Sequence, residues 1–262
     1  MIIELWRGKS EIDGSPIVLL ANMASHNNKI GAGMVATYIW SADTLPSAAR
    51  GRGGMCPADC PALEFCMNND FPSSLAYDKS WSRQVLAGKA VKVPRSNWRA
   101  FLRGRSIRFG VDGDGGALPL WVVQGLVKAS GRPVKDHAAY THFHQRTELN
   151  FLFMASCESL SQVPALESAG WKCFISVGVP GWNGKHKTFS ADHVAYLRRT
   201  IRASVADHGI KSPVVVCPNY LTGVQCAQCL LCNRERGRAH IVAPLHGAAG
   251  VKLVNSRLAV LA

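Results

Sequence analysis

Residues 107–126 read IRFGVDGDGGALPLWVVQGL, and the change of pattern within them decides the fold class. Ile107 to Val111 is a short apolar β-type run, Asp112-Gly113-Asp114-Gly115-Gly116 is a turn, and from Leu118 to Ala129 the apolar residues fall at helical spacing. Strand, glycine-rich turn and helix in that order make one βα unit. The alternation recurs on both sides. Upstream, Gly33 to Trp40 (GMVATYIW) reads as an earlier strand and Ser80 to Leu86 as part of a helix. Downstream, strands are expected at Ala138 to Thr141, Asn150 to Ala155, Cys173 to Val179 and Pro213 to Cys217, with helices at Ser161 to Ala169 and Ala191 to His208. The last helix is the best marked, with Ser190 as N-cap and Gly209 as its stop. About six βα units in series predict an α/β fold, an open or partial (βα)6 TIM-like barrel rather than a closed eight-fold one.

A chain of 262 residues with a 47% hydrophobic fraction can fill a core without a metal to rescue it. No low-complexity linker divides it, so residues 1–262 are read as one domain, with a barrel core over about 33–217 and a cysteine-rich metal-binding extension over 217–247. The first residues carry scattered charges and no apolar signal-peptide region, and no apolar run is long enough for a membrane span. Nine cysteines without a secretory signal imply a reducing compartment, so a cytoplasmic location and no membrane partner are expected. The net charge of +13, with basic clusters at Arg95 to Arg108, Arg198 to Arg202 and Arg234 to Arg238, suits phosphate-bearing partners, nucleic acid first. An anionic iron–sulfur centre would offset part of that charge. No Walker loop, G-x-S-x-G elbow or H-E-x-x-H occurs, which removes the commonest nucleotide hydrolase, serine hydrolase and zincin readings.

Seven of the nine cysteines fall in two groups, Cys56-x3-Cys60-x5-Cys66 and Cys217-x8-Cys226-x2-Cys229-x2-Cys232. Thiols so close in sequence act as metal ligands more readily than as disulfides. The first loop, GRGGMCPADCPALEFC, offers three thiolates, enough for three irons of a [4Fe-4S] cubane with the fourth iron open to a ligand. Gly51, Gly53 and Gly54 would let backbone amides approach such a cluster. The second loop supplies four thiolates, a complete set for a closed [4Fe-4S] centre, and its first cysteine is followed by Pro218. Zinc is the alternative at either loop, with a histidine completing the trio. Whether the seven ligands make one cluster or two stays open. Cys157 and Cys173 sit in apolar strands and are read as buried hydrophobes.

Both loops follow predicted strands, so both should emerge at the strands' C-terminal ends, where βα folds place their chemistry. The same edge should carry the turn Asp112 to Gly116, whose carboxylates could take an amine and whose glycines would admit a ligand, unless the turn simply caps the next helix. It should also carry Tyr140, His142, His144 and Ser156. Of these, His142, Tyr140 and Asp114 are the candidates for catalysis, while Asp112, Gly113, Asp114, Gly115, Gly116 and Ser156 are the candidates for cofactor contact. His240 and His246 follow the second cysteine loop, and His246 could add a metal ligand or a hydrogen bond to one.

The order of strand, three-cysteine loop with Phe65 before Cys66, glycine-rich turn after the second strand, and C-terminal cysteines resembles the radical S-adenosylmethionine superfamily. That resemblance implies a radical-SAM-type barrel, S-adenosylmethionine at the open iron with its amine at Asp112 to Gly116, an auxiliary cluster on the C-terminal cysteines, and an electron donor. The superfamily's usual spacing is x3 then x2, where this chain has x3 then x5. The chain from about Cys56 onward also looks like the gene-product-88 type proteins of bacteriophages and plasmids. The residues carrying this are MCPADC, RFGVDGDGG, Tyr140 to His142, Met154 to Ser156, AGWKCF at Ala169 to Phe174, CPNYLTGVQCAQCLLC and PLHG at Pro244 to Gly247; relatives commonly have Gly-Asp-Pro where this chain has Gly113-Asp114-Gly115. This second resemblance implies a mobile-element origin and an iron–sulfur fold; if the protein is not an enzyme, its basic surface is expected to engage nucleic acid or a virion component.

Overall fold

A computed structural model describes residues 1–24, 30–31, 33–66, 68, 73–182, 188–232 and 239–245. The chain is a mixed α/β fold whose strands are mostly parallel. Its strands are β1 (Ile2–Lys9), β2 (Pro16–Asn22), β3 (Met34–Ser41), β4 (Val91–Lys92), β5 (Ser106–Asp112), β6 (Tyr140–Thr141), β7 (Met154–Cys157), β8 (Cys173–Val177), β9 (Val214–Val216) and β10 (His240–Pro244). Its α-helices are α1 (Pro46–Ala49), α2 (Ser73–Trp81), α3 (Trp98–Leu102), α4 (Leu120–Ser130), α5 (Val163–Ser168), α6 (Ala191–His208), α7 (Pro218–Thr222) and α8 (Cys226–Cys229).

One sheet has the order β4-β1-β2-β3-β5 and the other β6-β7-β8-β10-β9. The parallel bridge between Arg108 and Ala138 joins them edge to edge, so a parallel series runs from β3 to β9. Among the described residues no ladder pairs β4 with β9. The predicted strands are present with shifted ends. The run Asn150 to Ala155 is corrected most: a 3-10 turn occupies Thr147–Leu149 and the strand is Met154–Cys157. Between β6 and β7 the described residues form that 3-10 turn and no α-helix.

The sheet starts earlier and ends later than the 33–217 span. β1 and β2 form an antiparallel hairpin ahead of β3. β10 pairs with both β8 and β9, which breaks the consecutive strand order of a simple βα series. These strands escaped the sequence reading because β2 is buried on both faces, so PIVLLAN shows no alternation.

The two faces are covered differently. Ile17, Leu19, Val35, Ile39, Ile107, Phe109 and Ile175 face the main core, under Val122, Val123, Leu126 and Leu197 of α4 and α6. α6 keeps the predicted ends, with Ser190 accepting from His193 N–H at 3.3 Å and Gly209 left-handed at φ 65°. On the opposite face the cysteine loops do the covering. Val18, Leu20 and Trp40 pack with Met55 and Trp81, and Cys56 lies against them. Met34, Ala36 and Ala138 pack with Leu230, and Cys226 lies against those. Residues 34, 36 and 40 of β3 therefore point to the cysteine side, as period-two alternation requires.

Candidate functional site

The trio loop leaves β3 through α1, with Pro46 in the first turn, and reaches Cys56 after a run in which Gly51, Gly53 and Gly54 all have positive φ. It is pinned to the acidic turn: the Asp114 N–H donates to the Met55 carbonyl at 2.6 Å, and Ser10 Oγ donates to the Gly54 carbonyl at 2.6 Å. The result is a cavity of about 150 Å³ at the ends of β5, β6 and β7, lined by Cys56, Cys60, Cys66, Asp112, Gly113, Asp114, Tyr140, His142 and Ser156 together with Arg50 and Asn68. Burial, with Asp114, Asp112 and the other two thiols nearby, pushes the Cys56 thiol well above its ordinary value. Burial also raises Cys66, against the Asn68 backbone and Arg50.

The acidic turn carries out the capping role more plainly than the amine-binding one. Asp112 accepts from Arg50 Nη2 on both oxygens at 3.0 Å, from Trp40 Nε1 at 2.8 Å and from Asn68 Nδ2 at 3.0 Å. That fills its four lone-pair positions. Burial lifts its pKa while Arg50, Trp40 and Asn68 oppose the rise; three donors making four hydrogen bonds to it mark it as ionised. Asp114 Oδ1 accepts from Gly116 N–H at 2.7 Å and Thr141 Oγ1 at 2.6 Å, and Oδ2 from His142 N–H at 2.7 Å. It is the N-cap of the 3-10 turn Gly115–Ala117. The glycines serve packing: Gly113, at φ 84°, lies against the Ile39 carbonyl, and a side chain at Gly115 would strike the Phe153 ring. Gly115 and Gly116 are buried and are not among the residues that line the cavity.

His142 is the best-placed polar side chain. Its Nε2 lies 2.8 Å from Glu158 Oε1 and its ring is hydrogen-bonded to Cys60. Burial opposes its charge, but the bonds to Cys60 and Glu158 outweigh it and push its pKa up to about 10. Glu158 Oε2 is buried without a hydrogen-bond partner among the described residues. His144 faces away from this chemistry, with Nε2 at 2.9 Å from the Ser156 carbonyl, and burial lowers its pKa.

The quartet begins where predicted, Cys217 following β9, but α7 and α8 then carry it across the face of the sheet, where Ala227 N–H donates to the Ile30 carbonyl at 3.0 Å. Cys217, Cys226, Cys229 and Cys232 line a cavity of only about 20 Å³ with Ala138 and Tyr140. Tyr140 therefore lines both cavities, and its hydroxyl is hydrogen-bonded to the Cys232 sulfur. Burial raises the Cys232 thiol to about 12, with Cys217 adding to the effect. Among the described residues no three His, Cys, Asp or Glu side chains close to the spacing of ligands on one ion; the thiols rim the two cavities instead.

His240 is a core residue of β10, its Nδ1 accepting from Cys173 N–H at 3.0 Å and its Nε2 3.3 Å from Glu167, and His246 lies outside the described residues. Cys157 and Cys173 are buried as expected, but they are hydrogen-bonded to each other across β7 and β8. That bond, with His240, holds Cys173 down against burial. Arg50, Asn68, Glu158 and Arg108 were missed. Only Arg108 left a trace, as a charge between Ile107 and Phe109 in a strand flanked by others. No helix among the described residues is long and apolar enough to cross a membrane. No family model, curated protein or solved structure matches the chain.

Proposed function

We propose that this chain is a phage- or plasmid-type iron–sulfur protein on a partial βα barrel, with Cys56, Cys60 and Cys66 holding a [4Fe-4S] cluster and Cys217, Cys226, Cys229 and Cys232 holding a second metal centre. The observation that carries the reading is the meeting of three thiols with His142, Arg50 and Asn68 around one cavity of about 150 Å³. A cavity of that order accepts a benzene-sized group, which fits a compact cluster. Bound there, a cluster would supply one-electron chemistry and an iron without a cysteine ligand. The quartet's space of about 20 Å³ is nearer the size of a single tetrahedral ion, zinc or iron, than of a cubane, and the thiols, which do not stand at ligand spacing, would draw in around it; a cubane there requires α7 and α8 to move apart.

S-adenosylmethionine fits this arrangement poorly. Asp112 and Asp114 already meet protein donors, and the cavity has volume for a cluster or a small molecule rather than for a cluster with a nucleoside beside it. The tests separate these points. Anaerobic purification should yield a brown protein with iron and sulfide and absorbance near about 400 nm; a colourless zinc protein defeats the cluster reading. Calorimetry of the reconstituted protein should give no heat with S-adenosylmethionine, and saturable binding would reinstate a radical enzyme with its electron donor.

A second reading, engagement of nucleic acid, is favoured by one surface. Arg95, Arg99 and Arg103 are exposed on one side of α3 and its flanks, and Arg95 lies 5.0 Å over the ring of exposed Trp121, which meets Trp6 edge-on at 6.4 Å. A basic stripe beside an aromatic suits single-stranded nucleic acid. R95A/R99A/R103A should weaken salt-sensitive oligonucleotide binding while leaving the metal content unchanged.

A further inference from the structure

Arg50, buried, and Arg108, half-buried, both lie on the cysteine face and differ in one respect. Arg50 is matched by Asp112. Arg108 sits between Ile107 and Phe109, which face the main core, so its side chain emerges on the cysteine side. There its guanidinium lies 4.2 Å from the centroid of the Tyr140 ring, and Tyr140 in turn packs on Phe174 at 4.5 Å. Among the described residues Arg108 has no carboxylate partner, and its buried Nε has no hydrogen-bond partner.

A cation partly withdrawn from water without a counter-charge carries a cost. Tyr140 repays part through its ring. Tyr140 and Ala138, the residues that Arg108 meets by its guanidinium and by its backbone, line one cavity with the thiols of Cys226 and Cys232. Those sulfurs become anionic when they bind a metal, and a four-thiolate site on a divalent ion carries net negative charge.

We infer that Arg108 is the built-in counter-charge of the quartet: a positioning residue, without a carboxylate partner among the described residues, that is matched when thiolates gather on a metal at Cys217, Cys226, Cys229 and Cys232. Tyr140 links the two, its ring against the guanidinium and its hydroxyl on Cys232. The inference rests on the proposed metal centre at the quartet and adds that loading this centre removes a cost the apo fold carries.

The experiment compares full-length wild type, R108M and R108K, each titrated with zinc ion against a competing chelator and melted with and without zinc, with C226S/C229S as the quartet-null control. R108M should bind zinc at the quartet about 10- to 100-fold more weakly, the range for lost partners of metal ligands. Its metal-free form should melt no lower than wild type, because an unpaired cation has been removed, whereas its zinc-loaded form should melt lower. R108K, which keeps the charge, should recover most of the affinity. Equal zinc affinity in R108M overturns the role of Arg108, as does a metal-free R108M that is destabilised as much as the loaded one with R108K no better. Wild type that binds zinc no better than C226S/C229S overturns the quartet as a metal site, a different failure.

Discussion

The loop of Cys56, Cys60 and Cys66 encloses about 150 Å³ among Arg50, Asn68, His142 and Ser156, whereas the loop of Cys217, Cys226, Cys229 and Cys232 closes on about 20 Å³ beside Ala138, Tyr140 and Leu230. Both cover one face of one sheet. The first keeps polar side chains and space around its thiols, so a bound group there can still meet another molecule. The second packs its thiols into apolar surroundings with one unmatched cation, so a metal there works on the fold. Ligand count alone would not distinguish the two loops; their surroundings separate the site proposed for chemistry from the one proposed for structure.

The largest effect should come from the paired arginine. D112A leaves the buried Arg50 charge without its carboxylate and strips partners from Trp40 and Asn68. A loss of about 3–5 kcal/mol is expected, read by urea unfolding of the metal-free protein. Because R108M should not destabilise that same form, the two variants break the comparison if they behave alike. Next in size, C60S should remove iron from the trio and leave the quartet's metal in place, while C226S should do the reverse and also lower the melting temperature. Metal analysis with parallel thermal melts checks this, and equal melting losses would erase the distinction.

Smaller effects probe the polar surroundings. His142 has a raised pKa, so its favourable charge is fully present below its ordinary value of 6.5 and is lost as pH rises through about 10. E158Q should draw that value down, visible in an NMR titration of the ring. Glu167 offers the opposite sign, away from both loops. It accepts from Lys211 N–H at 3.0 Å, Ser212 N–H at 2.8 Å and the His240 ring. Burial opposes these bonds, but they bring its pKa from 4.5 down to about 2. Its stabilisation is present above 4.5 and is lost as pH falls through about 2. E167Q should flatten the stability profile over that window in acid unfolding; an unchanged profile would assign the acid loss elsewhere.

Much of this layout was legible in residue order. Strand β5 and helix α4 follow from periodicity in IRFGVDGDGGALPLWVVQGL, and α6 from its cap and stop. The grouping of Cys56, Cys60 and Cys66 near Asp114, Tyr140 and His142 follows from their places after parallel strands. The hairpin β1–β2 and strand β10 were not legible; β2 and β10 are buried on both faces and so lack alternation. Nor were the partners of Asp112, since Trp40, Arg50 and Asn68 lie up to 72 residues away.

Sequence by itself determined the α/β alternation, the seven thiols in two loops, and their appearance after strands, because these depend on local spacing and on the direction of parallel strands. Only the tertiary structure decided that Asp112 and Asp114 are occupied by protein donors, that the quartet is folded back over β3, and that Arg108 faces it beneath Tyr140. Those facts depend on which distant residues share a face and how much water they exclude, and burial and charge pairing become defined only when the chain is packed.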